Sequence, residues 1–448
     1  MLPLNNRENA FRFTVPILTI VILFVVLELF ARLYASVFSL PRTHYDYRKQ
    51  QPEPYVDAAY FSKEFVDESF RQPGGWKYPK NTRLIIPNDY HGTHFNILDG
   101  KRSTDFQPDR HENAVYLFGG STIYNSEVPD SLTVASQLQL LFNKHYPGKY
   151  IVENYGTTTV TTVQQLERLK TLSSFRHDDI VVFYDGVNDI YQSIFYANPE
   201  ETMIQRNRRS AKELSFINRA MLYLSNRSRL IQLFFDPINR SEPEHLSDAA
   251  FANRLLDSMK SRFKKAIKEA HDYSIKNNAS FFHYLQPHLY SDKVFSKYEK
   301  NLCQNYYIVP KGIEKSFSMG RPVLQNATME LAEGINSIDL TDILNERPQN
   351  EEYFLDSVHV NHMANEIIAK HIFSSIRNIV GDTSINRSKD NAEQGAAPGR
   401  TTLHPRLRKR YVRVPLLPKQ PVCDGYKKTR KQQGIQEIPE RDSKRIQG

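Results

Sequence analysis

Cysteine is nearly missing from this chain of 448 residues, which holds only Cys303 and Cys423. Two thiols make neither a disulfide framework nor a thiolate zinc site. Long apolar runs are equally scarce. One uncharged stretch, Phe13 to Leu27, continues through Glu28 to Ala31; a single run near the ~20 residues needed to cross a bilayer excludes a multi-pass membrane protein. The glycines at 119 and 120 are not followed by Gly-Lys-Ser/Thr, which excludes a phosphate-cradling P-loop. Excess positive charge is missing from most of the chain as well. The formal charge is +9, yet residues 381–448 hold 16 Lys and Arg against 7 Asp and Glu, which accounts for all of it. The balanced remainder offers no basic face, so no nucleic-acid partner is expected. With 40% hydrophobic and 24% charged residues, the chain is globular rather than disordered throughout or collagen-like.

What is present divides into four parts. Residues 13–31 read as a single transmembrane helix, with Glu28 at its end, where a carboxylate can reach the headgroups. No small-x-small cleavage pattern follows; a cleaved signal peptide and a buried helix are the alternatives. Arg7 and Arg12 precede the span, while Arg32, Arg42, Arg48 and Lys49 follow it, a bias toward a cytoplasmic body that large domains can override. The body is expected outside the cytoplasm. Residues 41–112, rich in Tyr, Pro, Asp and Arg, read as an irregular or β-rich lead-in. Residues 113–381 alternate strands and helices. Residues 382–448 read as a disordered basic tail.

Within the third part, Ala114–Phe118, Tyr150–Asn154, Ile180–Tyr184, Ser280–Leu285 and Ser337–Leu340 have the apolar, β-branched character of buried strands. Helical patterns lie around Leu132–Leu141, from Thr161 to Leu172, from about Asp248 and from Met363 to Ile379. Five strands alternating with helices predict a three-layer α/β/α sandwich around a five-stranded parallel sheet. Chemistry in such folds gathers beyond the carboxyl ends of the strands.

Several polar residues follow those strands directly. Ser121 sits on a strand-to-helix turn in Phe118-Gly119-Gly120-Ser121-Thr122, where a hydroxyl is lifted to the sheet edge; a capping serine is the bland alternative. Asn154-Tyr155-Gly156 ends the second strand, and Gly186-Val187-Asn188-Asp189 follows the third. An asparagine amide there suits an oxyanion, although Gly156 and Asn188 singly could serve turn geometry alone. Asp356-Ser357-Val358-His359 precedes the last helix, and its three-residue offset can set a carboxylate against one imidazole nitrogen while leaving the other for a serine. His362 and His371 lie nearby, but no pattern of further ligands supports a metal. No metal or other cofactor is expected.

Taken in chain order, these four blocks resemble the SGNH (GDSL-like) hydrolase family over roughly Ala114 to Val380. The segment Phe95–Arg102 and the tripeptide Leu285-Gln286-Pro287 are similar to its membrane-anchored members. Two positions depart from the pattern: Gly120 stands where the name-giving members have Asp, and Ala364 where Gly often follows the histidine. The resemblance implies a flavodoxin-like arrangement of the sheet. It also implies a triad of Ser121 as nucleophile, His359 as base and Asp356 as its orienter, with an oxyanion hole built from the Ser121 and Gly156 N–H groups and the Asn188 amide. The implied activity is that of a membrane-anchored esterase or acyltransferase working through an acyl-enzyme. Its implied partner is an ester-bearing substrate, with O-acyl groups of a carbohydrate expected first and lipid esters second. The segment 197–247, rich in arginine and apolar residues, is expected to form a helical insertion or cap over the site. The competing expectation is a catalytically silent, membrane-anchored assembly protein that keeps the fold. Oligomeric state is left open.

Overall fold

The computed structural model describes residues 4–37, 52–56, 58–71, 75–80, 82–198, 223–224, 228–234, 242–291, 293–304, 309–346 and 351–393. Within them, β1 (Trp76–Lys77) and β2 (Ile86–Pro87) form a small antiparallel hairpin. The main sheet takes β3 (Tyr90–His91), β4 (Asn96–Leu98), β5 (Lys101–Arg102), β6 (Asn113–Gly119), β7 (Tyr150–Asn154), β8 (Ile180–Asp185), β9 (Ser280–Leu285) and β10 (Asn336–Asp339).

The strand order is β10-β9-β8-β6-β7-β5-β4-β3. The five strands expected from the sequence are its parallel core: β6 pairs with β7 on one side and β8 on the other, and β9 and β10 follow. The order inverts around β6, which opens a crevice between the ends of β6 and β8, where doubly wound sheets bind ligands. All six residues of β8 are buried, as the near-continuous apolar run of a strand covered on both faces requires.

The sheet is wider than the expected five strands. β3, β4 and β5 come from the lead-in and continue it antiparallel beyond β7. Strands of two or three residues carry too little alternation to be read from sequence, so residues 41–112 show only an irregular or β-rich character there.

Helices cover both faces. Thr162–Leu169, Ala249–Lys276 and Ile313–Leu331 pack on one another over one face. Val134–His145 and the first part of His362–Glu393 cover the other, where Phe142 meets Phe373 edge-on at 5.2 Å. Their starts are set locally: the Thr133 side chain caps the helix Val134–His145, Thr161 and Gln164 form a reciprocal box, and Asp248 accepts from the Phe251 N–H. The helix Ile313–Leu331 went unread, although Ile313, Phe317, Gly320, Leu324, Ala327 and Leu331 are buried at helical spacing. The closing helix runs past its expected end at Ile379 to Glu393. The rest of the expected tail lies outside the described residues, as does most of the expected cap at 197–247.

The helix Leu4–Val37 contains the apolar run, long and apolar enough to cross a membrane over Thr14–Val37. Ala31 and Ala35 are buried, and the helix packs against Arg229–Phe234.

One side chain ties the lead-in to the parallel core. Arg102, at the end of β5, is completely buried and pairs with Asp130 at 2.5 Å. Its guanidinium also donates to the carbonyl oxygens of Tyr124, Asn125 and Val128, each at 2.9 Å. Removing a partner from such a pair leaves a buried charge without compensation. Arg102→Met is therefore expected to cost about 3–5 kcal/mol in urea unfolding, whereas Lys101→Met, which breaks a partly exposed pair with Glu153, costs under about 1 kcal/mol. Equal losses would show that Arg102 is not the tie.

Candidate active site

Three loops carry the polar residues to the carboxyl edge of the sheet. After β6 the chain turns at Gly120 into the short helix Ser121–Tyr124. Ser121 is the first residue of that helix, so its N–H has no intrahelical acceptor. A Cβ at 120 would lie 2.4 Å from Asn188 Nδ2, so a side chain there would require that amide to move. This gives a physical reason for glycine at that position, where Asp would displace the Asn188 amide.

The histidine turn is held from within. Asp356 Oδ1 accepts the N–H groups of Val358 and His359 at 2.9 and 2.8 Å. Leu355 N–H donates to the His359 carbonyl at 2.8 Å, and Phe354 and Val360 form a bridge. Asp356 Oδ2 is then left facing His359 Nδ1 at 2.7 Å. The opposite ring nitrogen, Nε2, lies 2.8 Å from Ser121 Oγ. The structure thus brings Ser121, His359 and Asp356 into one hydrogen-bonded chain. The carboxylate is almost covered, at 7% exposed, while the imidazole keeps 19%.

The three residues expected to receive an oxyanion fare differently. Asn188 follows β8, and its amide nitrogen donates to the Val160 carbonyl at 2.9 Å. An amide carries two N–H groups, so one remains for a ligand. Gly156 departs from expectation: its N–H donates to Asn154 Oδ1 at 2.9 Å and is already committed. Asn154 Nδ2 in turn binds the Ile123 carbonyl at 2.9 Å, so this asparagine straps the end of β7 to the Ser121 helix. A Cβ on Gly156 would meet the Tyr124 nitrogen at 2.4 Å; glycine is needed there for close approach.

Other contacts brace the loops. Thr122 Oγ1 donates to Gln286 Oε1 at 3.2 Å, and Leu289 N–H donates to the Ser357 carbonyl at 2.9 Å. The segment after β9 therefore touches both the serine helix and the histidine turn. Tyr191 OH and Ser357 Oγ are 2.6 Å apart, and burial raises the phenol above its ordinary pKa. His288 is wholly buried, and burial, then the nearby Arg321 and Lys293, lower it to about 3; it is a neutral ring. Among the described residues no group of three or more His, Cys, Asp or Glu could hold a metal ion.

One residue at the site was missed. Glu127 Oε1 lies 4.0 Å from His359 Nε2, with its side chain only 3% exposed. Glu127 carries no motif in the segment Asn125–Asp130, and only the fold turns it toward the imidazole.

No family model matches the sequence, and no curated protein matches it either. Among solved structures, the chain is similar to a lipolytic protein of the G-D-S-L family from Veillonella parvula, at 12% identity, covering 58% of this chain and 94% of that one with a TM-score of 0.31. It is similar to an acetyl xylan esterase, at 12% identity, with 59% and 99% covered and a TM-score of 0.33. A two-domain esterase active on acetylated mannans gives 12% identity, 60% and 50% covered and a TM-score of 0.32. Likeness at this level does not transfer chemistry, which must come from the side chains.

A further buried acid follows β8. Asp189 is buried; desolvation first, then the neighbouring Asp185 charge, raise it to about 7, against hydrogen bonds from Thr162 and the charge of Arg262. A folded pKa above the ordinary value means the native state holds a proton that the unfolded chain releases. Stability therefore falls as pH rises from about 4 to about 7, by up to ~1.4 kcal/mol per pH unit for this group. Asp189→Asn is expected to flatten that part of the profile in urea titrations; an unchanged slope would assign the effect elsewhere.

Proposed function

We propose that this protein is a serine esterase of the SGNH type, anchored in a membrane by its N-terminal helix. The observation that carries the reading is the unbroken relay from Ser121 Oγ through His359 to Asp356, with separations of 2.8 and 2.7 Å. Two such hydrogen bonds joining two distant parts of the chain, meeting at the strand ends, suit proton removal from a hydroxyl.

Ser121 Oγ attacks an ester carbonyl while His359 Nε2 takes its proton. Asp356 fixes the ring through Nδ1 and stabilises the imidazolium. The developing oxyanion is received by the Ser121 N–H and the second N–H of the Asn188 amide. Gly156 contributes indirectly, by letting β7 approach the serine helix. The imidazolium returns its proton to the departing alcohol, and the acyl-enzyme is resolved by an incoming hydroxyl. The resemblance to anchored SGNH members favours O-acyl groups of a carbohydrate as the substrate. Transfer to a sugar hydroxyl is the variant of the same chemistry.

A retained anchor is supported by Glu28. Its carboxylate accepts from Ser228 Oγ at 2.7 Å and from the N–H groups of Arg229 and Leu230, each at 2.9 Å, and it pairs with Arg32 at 2.7 Å. A leader removed after export would take this cap away. The body is proposed to lie outside the cytoplasm.

Two measurements test the proposal. A fluorophosphonate should label Ser121 and an aryl acetate should turn over. Both are lost in Ser121→Ala, turnover falls by at least ~10³-fold in His359→Ala, and it falls ~10²–10³-fold in Asn188→Ala. A folded wild type without label or turnover would return the chain to the silent assembly protein. In sealed inside-out vesicles, added protease should leave the body intact; digestion there would reverse the orientation.

A further inference from the structure

Glu127 is the buried acid on the reacting side of the imidazole. Asp356 occupies Nδ1, whereas Glu127 Oε1 lies 4.0 Å from Nε2, the nitrogen that exchanges a proton with Ser121 Oγ. The residue is held from several directions. Ser126 Oγ donates to Oε1 at 3.1 Å, Tyr55 OH donates to the Glu127 carbonyl at 2.8 Å, and Arg102 clamps the carbonyl oxygens of Asn125 and Val128 on either side.

We propose that Glu127 Oε1 and His359 Nε2 together hold the water that resolves the acyl-enzyme, which makes the site hydrolytic rather than transferring. The inference rests on Ser121 being the nucleophile. Once Oγ is esterified it has no proton to share with Nε2, and an incoming hydroxyl can take its place. An oxygen about 2.8 Å from two acceptors 4.0 Å apart sees them at about 90°, near the ~105° between the two O–H bonds of water. Water can therefore donate to both at once. An alcohol has one proton; if Nε2 takes it, the alcohol oxygen turns a lone pair toward the carboxylate.

The step balances. The water oxygen bonds to the acyl carbon as one proton passes to Nε2 and the other stays hydrogen-bonded to Glu127. The bond from the acyl carbon to Oγ then breaks, Oγ recovers the proton from Nε2, and the carboxylic acid leaves with the second proton. Glu127 ends as it began.

The test is rapid-quench turnover of 4-nitrophenyl acetate with methanol as a competing acceptor, with the acyl-enzyme followed by intact mass. Glu127→Leu, similar in size but unable to accept, should slow deacylation ~10–100-fold more than acylation, produce a burst, and raise the methanolysis share about tenfold. Glu127→Gln keeps an accepting oxygen and should shift the partition in the same direction by less, which also covers a Leu variant that fails to fold. Equal slowing of both steps, or an unchanged partition in a folded variant, overturns the assignment. Absence of any acyl-enzyme on Ser121, wild type included, instead overturns the nucleophile and this proposal with it.

Discussion

The buried Arg102 guanidinium is the constraint from which the site follows. Five N–H donors in a fixed fork suit it to gathering several acceptors at once, and here they are Asp130 and the carbonyls of Tyr124, Asn125 and Val128. Phe95 closes over it, with its ring 3.6 Å from the guanidinium carbon. The clamped residues continue directly from the Ser121 helix. Its last turn ends at Asn125, whose left-handed conformation, φ 54°, lets its side chain accept from Val134 N–H at 3.1 Å. The segment cannot slide without breaking a buried ion pair, so both Ser121 and Glu127 take their places from a residue outside the hydrogen-bonded chain of Ser121, His359 and Asp356.

That clamp also fixes the electrostatics. His359 has Asp356 on one nitrogen and Glu127 near the other, so both edges of the ring meet carboxyl groups. A unit charge pair at 4 Å interacts by on the order of 4 kcal/mol at the effective dielectric of a partly exposed site. Transition states that form imidazolium gain from each ionised neighbour. Asp189, in contrast, is desolvated beside Asp185 and resists ionisation. The carboxyl groups at this sheet edge thus divide into those that support charge on the imidazole and one that avoids charge itself.

The parallel core was legible because buried strands announce themselves by apolar runs, and the meeting of Ser121 with Asp356 and His359 because these residues fall just after such a run or in a turn. What stayed hidden depends on long-range closure. Arg102 lies in a segment whose charge has no partner visible in the sequence, since Asp130 stands beyond a strand and a short helix. β3 to β5 are too short for periodicity. The Gly156 N–H looked available because nothing in Asn154-Tyr155-Gly156 says that the asparagine oxygen folds back to take it. Sequence spacing reports which groups can meet; competition for a donor is decided only in three dimensions.

The same competition gives meaning to the acid in the apolar helix. A carboxylate near a membrane-spanning run is costly unless its charge is met, on the order of 2.5–3.5 kcal/mol at a helix centre and less toward the ends. Glu28 is met by an arginine one turn on and by the first N–H groups of a second, apolar helix, where the helix dipole favours negative charge. The carboxylate is thus met from its own helix and from the body, a contact that joins Leu4–Val37 to Arg229–Phe234.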